Sequence, residues 1–339
     1  MQTHNHRLNN HSTRLARLLL LLCANALAGT GAHAAAASWK PEKTVELIVP
    51  DNAGGGQDRT VRIIQKFMQD AGLVSTPINI INKPGGGGNL AYTYLNQFPG
   101  DAHYLAIATA TMLTNNILGL SQFSHTDFTA VSVLYGEYIG FAVNADGPIK
   151  TGKDLIERAR RNPESVSIAF GTSRGNANHI AVGLVMKAAG VDVSKLKVVI
   201  FKASIDATTA LMGGHVDVVA TPTSTYAPIM ASGKVRIIGI TAPARIGGQF
   251  ASAPTWKEQG INAVASGYRM LIGPKNLNAA QLAFWDDTLN RLSQSEIWRK
   301  ELAANDWEGN YMNSAESRRY LDARYEEYRR ILVDLALVK

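Results

Sequence analysis

Residues 44–58 read TVELIVPDNAGGGQD, and this stretch leads from a strand through a glycine loop into a helix. Residues 44–50 are apolar and β-branched and end in a proline, a pattern typical of a buried strand. Beyond the glycines, apolar residues recur at helical spacing from Ile64 to Ala71, and Gly72 is placed to end that helix. Free backbone N–H groups and the positive end of a helix dipole then converge on the loop, which predicts an anion site.

The same arrangement recurs in the next segment of the chain. Residues 78–81 (INII) predict a short strand, and residues 83–88 (KPGGGG) predict its loop. Asn89 is placed to cap the following helix, whose inward residues begin with Leu90. Two such loops at the same end of one parallel sheet face one cleft. Glycines that only make tight turns are the alternative, but two consecutive strand–glycine–helix units favour a ligand site.

The first 34 residues have the pattern of an export signal. Three arginines and no acidic residue accompany an apolar run from Leu18 to Ala28, and residues 32–34 read AHA, a cleavage site. A bulky leucine before Cys23 argues against a lipid anchor. We therefore expect a periplasmic protein cleaved after Ala34. Its mature chain would have no cysteine for a disulfide, a thiolate metal site or nucleophilic catalysis.

Charge and length limit the functional classes further. Without its first 34 residues the chain carries 31 basic and 27 acidic residues, a net charge of +4. This mild excess suits an anionic small molecule and is too diffuse for nucleic acid. The remaining 305 residues favour two domains. None of the four remaining histidines is paired at metal-ligand spacing, so we expect neither a metal nor a cofactor.

The rest of the chain predicts a second α/β unit. Strands and helices alternate over residues 166–241, which is typical of a parallel sheet covered by helices. A returning strand and a helical tail then follow. We place the second lobe at residues 142–266 and the first lobe at residues 35–141 and 267–339.

Short polar residues near the predicted loops have two interpretations each. Thr109 and Thr111 follow a strand and either contact a ligand or cap the next helix. Asp58 either caps the first helix or accepts a hydrogen bond from a ligand hydroxyl or amine. Neither glycine loop is followed by Gly-Lys-Ser/Thr, and no complete G-x-G-x-x-G precedes a strand ending in an acid. These absences exclude the common nucleotide sites.

Residues 171–175 read GTSRG and match the G-x-S-x-G nucleophile elbow, between a predicted strand and a predicted helix. A secreted serine hydrolase that uses Ser173 is therefore an alternative function. Its triad histidine would have to follow, and only His179 and His215 do so. The segment is better explained as a third loop at a helix N-terminus, where Thr172, Ser173 and Asn176 donate hydrogen bonds to a ligand.

Motifs along almost the whole mature chain resemble those of the substrate-binding components of tripartite tricarboxylate transporters, the Bug/TctC-type family. Each motif alone is weak, but their order and spacing are specific. The matching segments are IVP at 48–50 with Gly54, Gly55, Gly56 and Asp58; NKPGGGG at 82–88; FG at 170–171 with Gly175 and His179; LMGGHVD at 211–217; GKVR at 233–236; APTWKEQG at 253–260; and GPK at 273–275.

The resemblance implies an α/β, two-lobed periplasmic-binding-protein fold, a Venus flytrap of type II-like form. Each lobe would be a mainly parallel sheet flanked by helices. The implied function is to capture a small carboxylate, such as citrate, and deliver it as a monomer to the permease subunits of a transporter. A ligand-sensing accessory protein without transport is the other alternative. The chain departs from the family pattern at Gln57 and at residues 201–204, which read FKAS.

The site residues follow from the loops and from the resemblance together. They are Asn52, Ala53, Gly54, Gly55, Gly56, Asp58, Gly85, Gly86, Gly87, Asn89, Thr109, Thr111, Thr172, Ser173, Asn176, Ser204, Thr221 and Thr223. No catalytic residue is expected among them.

Overall fold

The structure of the protein is a computed structural model that describes residues 39–338, so the predicted export signal lies outside the described residues. The described chain opens with three strand–turn–helix units. They are β1 (Val45–Val49), α1 (Gly56–Asp70), β2 (Ile78–Asn82), α2 (Asn89–Leu95), β3 (Tyr104–Ala108) and α3 (Ala110–Ile117). β1 pairs in parallel with both β2 and β3, so Leu47 lies between Ile80 and Leu105. The turns after all three strands therefore emerge at one edge of the sheet, as predicted for the two glycine loops.

The first two helices differ in how well their sequence pattern predicts them. In α1, Ile64 and Met68 are buried and Gly72 follows the helix end with φ +62°. Ala71 is exposed rather than inward because the helix has already ended. In α2 the prediction that Leu90 faces inward is wrong: its side chain is 59% exposed, and Tyr92 is buried.

The middle of the chain forms the second α/β unit. Its elements are β4 (Phe128–Asn144), α4 (Gly152–Arg161), β5 (Ser167–Gly171), α5 (Ala177–Ala188), β6 (Lys197–Phe201), α6 (Ser204–Met212), β7 (Val218–Pro222), α7 (Thr223–Tyr226), β8 (Val235–Ile240) and β9 (Ser266–Pro274). β5 lies between β6 and β7, all parallel. The prediction that β8 simply extends this parallel sheet is wrong. β4 is inserted between β7 and β8 and is antiparallel to both.

β4 is a single strand of 17 residues, although the apolar pattern predicts two shorter strands on either side of Gly136 and Glu137. Up to Tyr138 it pairs antiparallel with β9, and from Ile139 onward it pairs with β7 and β8. The strand order is β2-β1-β3-β9-β4-β7-β5-β6. One strand therefore belongs to both halves of the sheet.

The C-terminal segment returns to the first half. It forms α8 (Ala279–Gln294), α9 (Glu296–Ala304), β10 (Glu308–Met312) and α10 (Ser314–Asp334). The sequence pattern predicts the three helices but not β10, whose residues EGNYM lack apolar alternation. β10 nevertheless pairs antiparallel with β4, because β4 offers an otherwise open edge there.

Each half has its own hydrophobic core. In the first half Leu321, Tyr328 and Leu332 of α10 pack with residues of β1, β3 and β9. In the second half α4 and α5 pack on β4, β5 and β7, together with the fully buried Trp256. Within residues 39–338, no helix combines the length and apolar character needed to cross a bilayer.

Thr241 forms hydrogen bonds that link β4 to the segment leading into β9. Its side chain is fully buried, and its Oγ1 accepts a hydrogen bond from the Ile139 N–H (3.0 Å) and donates one to the Ala265 carbonyl (2.5 Å). Its backbone N–H donates to the Ile139 carbonyl, and its carbonyl accepts from the Ala265 N–H, both at 3.0 Å. Four hydrogen bonds thus join β4, just after its change of partners, to the residue that precedes β9.

We expect Thr241→Val to lower the free energy of unfolding by about 1–3 kcal/mol, because it leaves a buried Ile139 N–H without an acceptor. Thr209→Val is the matched control. Thr209 is exposed and its hydroxyl bonds only within its own helix, so we expect a change within about 0.5 kcal/mol. Urea unfolding monitored by circular dichroism measures both. Equal effects of the two substitutions would contradict the role assigned to Thr241.

Candidate functional site

A cavity of about 420 Å³ opens at the sheet edge where the turns after β1, β2, β3, β5 and β6 meet. Its volume falls within the range of small-molecule sites, roughly 300–1,000 Å³. Cavities of about 570 and 540 Å³ lie elsewhere, but neither is lined by a residue of the two glycine loops. The 420 Å³ cavity also borders the part of β4 where the strand changes partners, so residues of both halves line it.

Half of the predicted site residues line this cavity. They are Asn52, Gly85, Gly87, Thr109, Thr111, Thr172, Ser173, Asn176 and Ser204. The others lie outside its lining: Ala53, Gly54, Gly55, Gly56, Asp58, Gly86, Asn89, Thr221 and Thr223. Thr221 and Thr223 are buried where β7 meets α7, and their prediction as ligand contacts has no support in the geometry.

Asp58 is a structural support of the first glycine loop and does not line the cavity. Its buried carboxylate accepts hydrogen bonds from the Gly54 N–H (2.8 Å), the Asn82 side chain (3.0 Å) and the Arg62 guanidinium (2.7 and 3.1 Å). Asn82 also donates to the Asp51 carbonyl (3.0 Å). Asp58 therefore fixes the loop after β1 against the end of β2, in place of either role predicted for it.

The second glycine loop has a backbone that only glycine adopts readily. The φ angles of the four consecutive glycines 85–88 are +126°, +58°, +61° and +105°. The buried Asn115 donates from Nδ2 to the carbonyls of Gly86 and Gly87, both at 3.2 Å. Gly85 and Gly87 line the cavity, so the backbone that faces it there is not screened by a Cβ atom.

Asn89 does not cap α2, contrary to the prediction. The N-cap position is Gly88, with no side-chain hydrogen bond, and Asn89 instead donates from Nδ2 to the Leu120 carbonyl (2.8 Å). Lys83, which precedes the loop, lies with Nζ 4.0 Å from the ring centroid of Tyr94. This cation–π contact holds the lysine outside the cavity lining.

Helices α3, α5 and α6 each begin at the cavity. Thr109 is the N-cap of α3 and accepts from the Thr111 N–H (3.4 Å), and Asn176 is the N-cap of α5 and accepts from the His179 N–H (3.0 Å). Ser204 is the first residue of α6. The two interpretations of Thr109 are thus compatible, because this residue both caps a helix and lines the cavity. The positive ends of three helix dipoles favour an anion.

The loop after β5 holds Thr172 in an unusual conformation. Its φ is +79°, a region that β-branched residues rarely adopt. Asn176 donates from Nδ2 to the Thr172 hydroxyl (2.6 Å) and to the Gly171 carbonyl (2.7 Å), which stabilises this turn. A Cβ atom on Gly171 would lie 2.2 Å from the Ser204 nitrogen. The loops after β5 and β6 are therefore in direct backbone contact, and strain of this kind is typical of ligand sites.

The arrangement around Ser173 does not resemble that of a serine nucleophile. Within residues 39–338 its buried Oγ has no hydrogen-bond partner. The nearby histidine, His179, accepts the Gly175 N–H at Nδ1 (3.1 Å), and its ring packs on Phe170. Burial lowers the pKa of His179 to about 4, with a smaller contribution from Arg174, so its imidazole is a weak base.

The charged residues of the cavity were not among the predicted site residues. Asp51, Glu137, Lys202 and Arg269 all line it. Glu137 and Arg269 form an ion pair with a 2.9 Å separation, and their side chains are 5% and 18% exposed. Glu137 and Arg269 could have been identified from the sequence, because each is a charged residue in the middle of an otherwise apolar strand. Among residues 39–338 no cluster of three His, Cys, Asp or Glu side chains is placed to hold a metal ion.

The hydrogen bonds of Asp58 predict a pH-dependent stability. Although burial raises the pKa of this carboxyl, its bonds to Arg62, Gly54 and Asn82 outweigh burial and hold the pKa below its ordinary value of 3.8. A carboxyl whose pKa is lower in the native state than in the unfolded state stabilises the fold above pH 3.8. This stabilisation is lost as pH falls through the native pKa. We expect Asp58→Asn to cost about 1–3 kcal/mol at pH 7.

The difference in unfolding free energy between wild type and Asp58→Asn should therefore shrink as pH falls below 3.8. Urea unfolding at a series of pH values measures it. Asp70→Asn, on the same helix with an exposed partner in Lys66, is the control and should change stability by less than about 0.5 kcal/mol. A difference between wild type and Asp58→Asn that stays constant down to pH 2 would contradict this assignment.

The sequence and the fold are both similar to those of known proteins. Residues 61–337 match the family profile described as the tripartite tricarboxylate transporter family receptor. The UPF0065 protein in the gbd 5′ region of Cupriavidus necator is 28% identical over 300 residues, which cover 88% of this chain and 89% of that protein.

Two solved structures share the fold at low sequence identity. Rpa4515 of R. palustris, solved with adipate, has a TM-score of 0.76 at 22% identity and covers 87% of this chain and 98% of its own. The periplasmic binding protein BugD has a TM-score of 0.74 at 20% identity, with coverage of 88% and 99%. The predicted α/β periplasmic-binding-protein fold is confirmed. The chain belongs to the family of tripartite tricarboxylate transporter receptors.

Proposed function

We propose that this receptor captures a small di- or tricarboxylate, citrate or a related acid, in the 420 Å³ cavity. It then delivers the acid to the permease subunits of a membrane transporter. The family membership supports transport, and the adipate in Rpa4515 shows that a protein of this fold holds a dicarboxylate. We also propose that the receptor is a monomer, exported to the periplasm after cleavage behind Ala34.

One observation carries the choice of an anionic ligand. The N-termini of α3, α5 and α6 and the glycine backbone at Gly85 and Gly87 all meet at the cavity. The first N–H groups of a helix have no partner within the helix, and a carboxylate oxygen satisfies them with charge-assisted hydrogen bonds. Oxygen ligands without charge would gain less from the same groups.

We propose that the two halves act as lobes that close on the ligand. The first comprises residues 35–141 and 267–339, and the second comprises residues 142–266. The change of partners in β4 between Tyr138 and Ile139, next to the start of β9 at Ser266, is a place where backbone rotation would tilt one half relative to the other. A ligand that bonds to loops of both halves would stabilise the closed form.

The structure also argues for binding rather than hydrolysis. Ser173 lines the cavity, and its hydroxyl has no hydrogen-bond partner among the described residues. A serine nucleophile needs a base within hydrogen-bond distance, and His179 is engaged elsewhere.

We expect Gly87→Val to weaken carboxylate binding at least tenfold in calorimetric titrations with adipate, malate and citrate. The valine adds a β-branched side chain at φ +61°, and its Cβ would approach Asn115 Nδ2 to 2.8 Å. Both changes displace the loop backbone, and each lost charge-assisted bond is worth about 1.5–3 kcal/mol.

Gly119→Val is the matched control. Gly119 also has a positive φ, +71°, but it is exposed and lies outside the cavity. Apart from Gly119 and its two neighbours in the chain, no described residue has an atom within 4 Å of a Cβ added there. This variant should bind the acids as wild type does. Circular dichroism verifies that both variants fold. Absence of binding of all three acids to the wild-type protein would contradict carboxylate capture. Unchanged binding by folded Gly87→Val would contradict capture at this loop.

A further inference from the structure

Arg269 occupies a central position between the two halves of the sheet. It lies on β9 opposite Tyr135 of β4, two residues along from the Glu137–Gly267 pair. Its side chain is only 18% exposed and lines the cavity. A guanidinium that is removed from water to this degree needs a counter-charge, and Glu137 Oε2 supplies it at 2.9 Å.

Glu137 is held in place by groups other than Arg269. Its Oε1 accepts a hydrogen bond from the Trp307 indole N–H and another from the Ser224 hydroxyl, both at 2.9 Å. Trp307 immediately precedes β10, and Ser224 belongs to α7, so the two donors come from different halves of the sheet. The carboxylate therefore has a fixed orientation, with Oε2 directed at the guanidinium.

The guanidinium has more donors than the protein satisfies. Arginine carries five N–H donors. The described chain provides the ion pair at Nη2 and a bond of 3.3 Å from Nη1 to the Tyr268 carbonyl, while Nε has no acceptor. A planar guanidinium with unused donors suits a carboxylate, because two N–H···O bonds form side by side.

The charge of Arg269 persists at physiological pH. Burial by itself lowers the pKa of this guanidinium, but the negative charges of Glu137 and Asp51 outweigh burial and hold the pKa above its ordinary value. The other cavity cation, Lys202, is exposed and so is screened by solvent. Arg269 is thus the fixed, desolvated cation of the cavity.

We propose that Arg269 determines the specificity of this receptor by binding the second carboxylate of the ligand, while the glycine loops and helix N-termini bind the first. This inference rests on the proposed capture of a carboxylate. The contact with Arg269 makes the receptor selective for acids with two carboxylates over acids with one. Glu137 acts as a positioning residue, since it orients Arg269 and keeps the cavity from attracting single anions through excess charge.

The alternative is that the ion pair only fastens β4 to β9. Ligand discrimination separates the two roles. If Arg269 contacts the second carboxylate, its substitution weakens binding of the diacid and leaves binding of the monoester nearly unchanged. If Arg269 is only a structural support, its substitution weakens binding of the diacid and of the monoester by the same factor.

The experiment is calorimetric titration of the purified protein with adipate, malate and citrate, each paired with an analogue in which one carboxylate is a methyl ester. We expect wild type to prefer the free acid by about 10–100-fold. Arg269→Gln should reduce the preference to less than about threefold, through loss of affinity for the free acid alone. Arg291→Gln, which removes an exposed arginine outside the cavity, should keep the wild-type preference.

A second variant covers the possibility that Arg269→Gln does not fold, since it leaves Glu137 as an unpaired buried charge. Arg269→Gln with Glu137→Gln removes both charges, and the glutamine oxygen can still accept from Trp307 and Ser224. This double variant should fold and should also lose the preference for the free acid. An unchanged preference in a folded variant, or an equal loss for acid and ester, would overturn the assignment of Arg269. No binding of any acid by wild type would instead overturn carboxylate capture itself.

Discussion

Both halves of the sheet depend on the hydrogen bonds of one strand. β4 pairs with β9 and β10 along its first part and with β7 and β8 along its second part. Because its backbone continues without a break, the position of one half relative to the other is determined at a few residues around Tyr138. Thr241 reinforces this point with four hydrogen bonds. Glu137 and Ile139, on either side of the change of partners, both line the cavity. The element that connects the halves is therefore also part of the ligand site.

Loops with positive φ angles line the same cavity from both halves. The second glycine loop has four consecutive glycines with positive φ, two of which, Gly85 and Gly87, line the cavity, and Thr172, with φ +79°, lines it from the other half. Neither loop would hold its conformation without buried side-chain amides: Asn115 supports the glycine loop, and Asn176 supports Thr172. These interactions fix backbone donors before a ligand arrives, which reduces the ordering that binding requires. Asp58 likewise fixes the backbone of the first glycine loop, although it lies outside the cavity lining.

Local patterns predicted the elements that local interactions determine. The strand–glycine–helix units are present because β-branched runs, glycines and helical periodicity act over a few residues. Features that depend on distant partners were missed. β10 forms because β4 offers it an edge, and no periodicity in EGNYM indicates this. β8 is separated from β7 by a strand that precedes both in the chain. At the cavity, residue type predicted loops that contribute to the lining but not which member of each loop lines it. Gly87 lines it and Gly86 does not, and Arg269 meets Glu137 only because β9 returns beside β4.

In the proposed function, one carboxylate ligand engages loops of both halves at once. Hydrogen–deuterium exchange of the backbone amides, with and without saturating adipate, malate or citrate, tests it most directly. We expect an acid that binds to slow exchange in three segments together: residues 51–57, 83–89 and 172–176. Slower exchange confined to one half of the sheet, or slower exchange elsewhere with these three segments unchanged, would contradict it.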